Sequence, residues 1–175
     1  GYVSFLDAIL RNTDDPNTGG QVTAEYPLKG GAYFDVMGFH SYPDIDGSIY
    51  DYDFATDTRV FNRHSDRAAA GITSTKNDYQ DILYNYGYDG GENPEKEWII
   101  TEINVPRKAF RPDAMSGGEE MEVNYIIKAV ATAMKNDVHQ MHVYNLGDKT
   151  TESEAVTEFD LYGMHKRLTG TDAYT

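Results

Sequence analysis

Glu102 stands near the end of EWIITEINVP (97–106), where Trp98 to Thr101 read as buried strand. A carboxylate closing such a run is costly unless it is paired, solvated in a cleft or used in chemistry. An aimed carboxylate serves as nucleophile, general base or general acid. Taken alone, Glu102 fits a structural ion pair at a strand end equally well. Alternation places Trp98, Ile100 and Glu102 on one face, and Trp98 is the only tryptophan.

Two other strand-like stretches end in residues with chemical reach. In FDVMGFHSYP (34–43), Val36, Gly38, His40 and Tyr42 share one face, and Asp35, Met37, Phe39 and Ser41 the other. Small Gly38 leaves space beside His40 and Tyr42. A capped core histidine with a rim tyrosine is the plainer reading of that pair. VHQMHVYNL (138–146) ends in Tyr144 and Asn145, and alternation does not decide which of them faces inward.

Other chemistries find little support. There is no cysteine, which removes thiolate metal sites, disulfides and a cysteine nucleophile. The five histidines follow no metal-ligand spacing, so no metal or other cofactor is expected. Gly30-Gly31 precedes a strand instead of opening a phosphate-binding helix, and Ser41 lacks a nucleophile elbow. The stretch DIDGSIYDYDF (44–54) carries four Asp with Tyr50, Tyr52 and Phe54. It reads as a solvated loop or a wall for a sugar, and its spacing is not that of an EF-hand. A formal net charge of −14 repels nucleic acid and anionic membrane surfaces, and a neutral partner fits better. No apolar run approaches the length of a membrane span.

The elements that must carry these residues alternate. Tyr2 to Asn12 has helical spacing in Val3, Leu6, Ile9 and Leu10, and DDPNTGG (14–20) breaks it. A strand is expected over 32–42, then a long loop over 43–64. A helix starts with Ser65 as N-cap and runs to Tyr86, ended by GYDGG (87–91). The strand at 97–103 follows, then a loop to Gly118. Glu119, Glu120 and Glu122 mark the first turn of the next helix, where the dipole favours acids. Residues 138–146 read as strand and 147–175 mostly as loop. Such alternation predicts βαβ units and a parallel sheet, as an open doubly wound sheet or an arc of a (β/α)8 barrel. A complete barrel takes about 250 residues, so a chain of 175 is expected to be a single partial domain. The first residue is Gly1, not Met, and both ends are expected to be cut.

Together, FDVMGFHSYP, EWIITEINVP and HVYNLGD resemble the last three strands of the clan A glycoside hydrolases, retaining (β/α)8-barrel enzymes. His40-Ser41-Tyr42 matches the end of the family's sixth strand and Trp98-Ile99-Ile100-Thr101-Glu102 its seventh. EFDLYGMHKRLTG (158–170) looks like the lead into the last barrel helix. The resemblance spans about residues 30 to 170. It implies the C-terminal portion of a TIM barrel, about strands 6 to 8 with their helices, acting on O-glycosidic bonds of a poly- or oligosaccharide. Glu102 would be the nucleophile, with His40, Tyr42, Trp98, Tyr144 and Asn145 as substrate contacts. Retaining enzymes need a second carboxylate about 5–5.5 Å away. In the family that Glu follows an Asn, and no Glu does so here. The acid/base is therefore expected outside this chain, on an N-terminal barrel half in the same or a separate chain. The expected location is secreted or periplasmic. Two rivals stand beside this reading: a non-catalytic carbohydrate-binding or structural protein derived from a glycosidase barrel, and an open-sheet α/β enzyme in which Glu102 is an ion-pair residue.

Overall fold

The computed structural model describes residues 2–17, 19–20, 22–46, 49–61, 64–107 and 119–166. Helix α1 (Tyr2–Thr13) comes first, followed by a segment that closes in a 3-10 turn at Gly30–Tyr33. Strand β1 (Val36–Ser41) leads into a short helix α2 (Pro43–Asp46) and a hairpin of β2 (Tyr50–Asp53) and β3 (Thr58–Phe61). Then follow α3 (Ser65–Asn85), β4 (Glu97–Ile103), α4 (Glu119–Lys135) and β5 (Val138–Val143). The expected loop at 108–118 and the end of the tail, 167–175, lie outside the described residues.

The main sheet has three parallel strands in the order β1-β4-β5. The fold is mixed α/β, as the alternation predicts. Both connecting helices cover the same face of the sheet. Helix α3 presents Ala68, Ile72, Tyr79 and Leu83, and α4 presents Met121, Tyr125, Ala129 and Ala133. These positions, four or seven apart, make one apolar stripe per helix. They meet Phe39, Trp98, Ile100, Ile103 and Val138 from the sheet in a single core. The opposite face carries exposed Val36, Gly38, His40, Glu97, Gln140 and His142.

Three sequence expectations are corrected. Residues 32–35 are not strand, because the backbone first closes the 3-10 turn at Gly30–Tyr33, where Asp14 accepts the Gly31 N–H. Residues 50–61 are a hairpin, not loop. Its turn is set by Asp53, which accepts from Ala55 N (2.9 Å) and Thr56 Oγ1 (2.8 Å), and by Asp57 in the left-handed region. The α3 N-cap is His64, without a side-chain cap bond. Ser65 instead accepts from Lys128 Nζ of α4 at 2.7 Å.

Candidate functional site at the C-terminal end of the sheet

A bulge decides which way Glu102 points. Phe39 pairs with Ile100, but His40 pairs with Glu102, so β4 holds one extra residue, Thr101. The Thr101 hydroxyl donates to the Phe39 carbonyl at 3.0 Å, across the bulge. With the parity shifted, Glu102 leaves the face of Trp98 and Ile100 and joins that of His40. The expectation that Trp98, Ile100 and Glu102 share one face is thus corrected. Trp98 is 5 % exposed in the core, edge-on to Phe39 at 6.3 Å, with Lys76 Nζ 5.1 Å from its ring centroid. Gly38 does not open space for a ligand either. A Cβ there would stand 3.1 Å from the Thr101 methyl and 3.6 Å from Ile99 Cγ1, so the bulge has already filled the room.

Tyr42 Oη donates to Glu102 Oε2 at 2.7 Å. His40 Nδ1 lies 3.4 Å from the same oxygen. Among the described residues no lysine or arginine pairs with Glu102, and Oε1 receives no hydrogen bond. With 38 % of its side chain exposed, the carboxylate is reachable from outside. Among the described residues it is not a strand-end ion pair with a permanent cation.

Tyr144 extends the group. Its N–H donates to the Ile103 carbonyl at 2.9 Å, continuing β5 past Val143. Its ring stands edge-on to Tyr42 at 6.2 Å, and Lys149 Nζ is 5.9 Å from it. The Tyr144–Asn145 peptide is cis. Asn145 turns its Oδ1 to the Leu146 N–H at 2.8 Å. So His40, Tyr42, Glu102 and Tyr144 come together, Asn145 borders them, and Trp98 lies on the other side of the sheet.

The residue that sequence reasoning missed is Tyr162. Only 1 % exposed, it packs edge-on to Tyr42 at 5.5 Å and sits 6.2 Å from Tyr144. Its segment runs beside the exit of β5, with Asn145 N–H donating to the Tyr162 carbonyl (2.8 Å) and Met164 N–H to the Asn145 carbonyl (2.9 Å). The signal available was an aromatic within DLYGMH, close behind the third strand end.

Beneath this aromatic group lies a buried polar one. Asn104 Nδ2 donates to Glu122 Oε1 (2.9 Å) and to the Tyr162 carbonyl (2.8 Å), and its Oδ1 accepts from Val105 N–H (2.8 Å). Arg107 pairs with buried Asp148, which also accepts from Gly163 N–H at 2.9 Å. Burial pushes the Glu122 carboxyl up to about 7. The Asn104 bond and the Arg107 charge pull it down, while Asp148 and Glu119 add to the rise.

Among the described residues no three His, Asp or Glu side chains group as metal ligands, and no helix is long and apolar enough to cross a membrane. An apolar cavity of about 270 Å³ among Thr13, Val22, Tyr26, Leu28 and Tyr33 belongs to the segment before β1, not to the Glu102 end.

No protein-family model matches the chain, and no curated protein does. Solved structures do. An endo-laminarinase from Formosa Hel1_33_131 matches at a TM-score of 0.51 with 14 % identity, over 94 % of this chain and 48 % of that one. A β-glucuronidase from Bifidobacterium dentium, solved with coumarin-3-O-glucuronide, matches at 0.46 with 15 % identity, over 87 % of this chain and 22 % of that one. The chain thus spans less than half the length of either. Both neighbours are glycoside hydrolases, and at such identities the likeness is one of fold.

Proposed function

We propose that this chain is the part of a retaining glycoside hydrolase of the clan A type that carries barrel strands six to eight, with Glu102 as its nucleophile. The observation that carries the reading is the asymmetry of the Glu102 carboxylate. Tyr42 and His40 face Oε2, while Oε1 is open to a substrate. A nucleophile needs this arrangement, with one oxygen held to fix the aim and the other free to attack. The sheet supports a barrel arc: its strands run in chain order with α3 and α4 on one face, whereas a doubly wound sheet places helices on both.

In this reading Glu102 Oε1 bonds to the anomeric carbon as the glycosidic C–O bond breaks. The leaving oxygen takes a proton from an acid on the N-terminal barrel half. Water, deprotonated by that same group, then releases the sugar. Tyr42 keeps its proton, and its Oη–H stays directed at Oε2 throughout. His40 is placed to bond a sugar hydroxyl or Oε2, Tyr144 bounds the subsite, and Asn145 offers its amide at the border. A polysaccharide substrate would place the enzyme in the periplasm or outside the cell. Laminarin and aryl glycosides are the first substrates to assay.

The test is Glu102→Gln in the full-length protein. Turnover is expected to fall by about 10³-fold or more with the circular dichroism spectrum unchanged. Unchanged rates end the proposal. One observation favours a second reading, a carbohydrate-binding protein without hydrolysis: no Glu in the chain follows an Asn. Glycan binding by the full-length wild type, with no turnover, would select it.

A further inference from the structure

Asn104 lies two residues beyond Glu102 and is fully buried. All of its amide is used, since both Nδ2 hydrogens and Oδ1 have partners. Nδ2 faces two oxygens and Oδ1 faces an N–H, so the amide orientation is fixed by its neighbours. One hydrogen reaches α4 at Glu122, and the other reaches the carbonyl of Tyr162. The Tyr162 ring packs on Tyr42, and Tyr42 holds Glu102. An unbroken run of contacts therefore leads from Glu122 to the proposed nucleophile.

We propose that Asn104 and Glu122 are positioning residues whose hydrogen-bonded clamp fixes Tyr162, and through it the Tyr42–Glu102 pair. The bearing on catalysis rests on Glu102 being the nucleophile; the clamp itself does not.

A neutral Glu122 accepts from Asn104 without leaving a charge in the interior. Once ionised, it must draw in water or turn toward Arg107, which Asp148 already engages. The Asn104 bond by itself favours the ionised carboxylate, but burial outweighs it, so openings that wet Glu122 and part Asn104 from the Tyr162 carbonyl become easier once the charge forms. The charged groups facing Glu122 among the described residues are Arg107 from the segment after β4, Asp148 from the loop after β5, and Glu119 on α4 itself. The folded carboxyl titrates above its unfolded value, so the clamp is intact at low pH and loosens as pH rises through about 7.

Hydrogen exchange at the Asn145 amide, which donates to the Tyr162 carbonyl, reads the clamp directly in the full-length protein. Between pH 6 and 8.5 its protection factor is expected to drop about tenfold in the wild type and to show no step in Glu122→Gln. The ratio of kcat in Glu122→Gln to that in the wild type is expected to rise over the same interval. The absence of a wild-type step overturns the proposal even if the variant does not fold, and so does an equal step in the variant. A step lost in the variant, with neither protein turning over any glycoside, sinks the glycosidase reading and leaves the clamp standing.

Discussion

Tyr42 gives Glu102 a hydrogen bond from a neutral donor to a charged acceptor, the stronger kind. Replacing it with Phe keeps the ring that packs on Tyr144 and Tyr162 and removes only the hydroxyl. Loss of such a bond costs about 1.5–3 kcal/mol. The bond tightens as charge returns to Glu102 when the glycosyl-enzyme breaks down, so kcat for Tyr42→Phe falls about 10–100-fold, and KM falls with it as that intermediate accumulates. Steady-state kinetics on an aryl glycoside checks this, with near-UV circular dichroism confirming the packing. An unaltered kcat would separate Tyr42 from the chemistry. The pairing of His40 with Tyr42 on one face was legible from two-residue alternation alone. Their convergence on a single oxygen of Glu102 was not, because it depends on how two strands register.

That register belongs to β4. Thr101 is the extra residue, and its hydroxyl caps the Phe39 carbonyl. Thr101→Val preserves the shape, including the methyl against Gly38, and leaves the carbonyl without that donor. The expected loss is about 1–2 kcal/mol in urea unfolding, together with weaker activity as Glu102 loses its aim. Full stability in the variant would mean that the bulge is held by packing alone. The same residue explains where sequence reasoning went wrong. Alternation assumes an unbroken ladder, and a bulge reverses parity without any marked residue type. It carried Trp98 onto the Glu102 face in the reading and into the core in the structure. The helices were legible because their apolar stripes recur through Ile72, Tyr79 and Leu83, and through Tyr125, Ala129 and Ala133. The hairpin was not, because Tyr50 to Asp53 alternates aromatic with acidic residues and reads as solvated. Tyr162 was hidden for a related reason. Its partners Tyr42 and Tyr144 lie just past the ends of β1 and β5, and no local period points to them.

At the scale of the molecule, two features oppose each other. The sheet leaves one face exposed and pairs its outer strands β1 and β5 with no further strand among the described residues, with Val36 42 % exposed beside polar Glu97, Gln140 and His142. Uncovered edges with unpaired N–H and C=O groups invite strand addition. Against this stands the charge. The chain has 29 acidic and 15 basic residues, a net −14, so any two copies repel. Repulsion between surface charges reaches about 30 Å at 0.01 M salt and only about 8 Å at 0.15 M. Salt therefore removes the repulsion and leaves the edges unchanged. The 175-residue chain on its own is expected to sediment as a monomer near 10 mM NaCl and to gain mass by 300 mM. Adding the proposed N-terminal half should suppress that gain, because the same edges would then be paired within one barrel. A mass independent of salt would show that the exposed face is too polar to associate, and that charge is not what keeps copies of this chain apart.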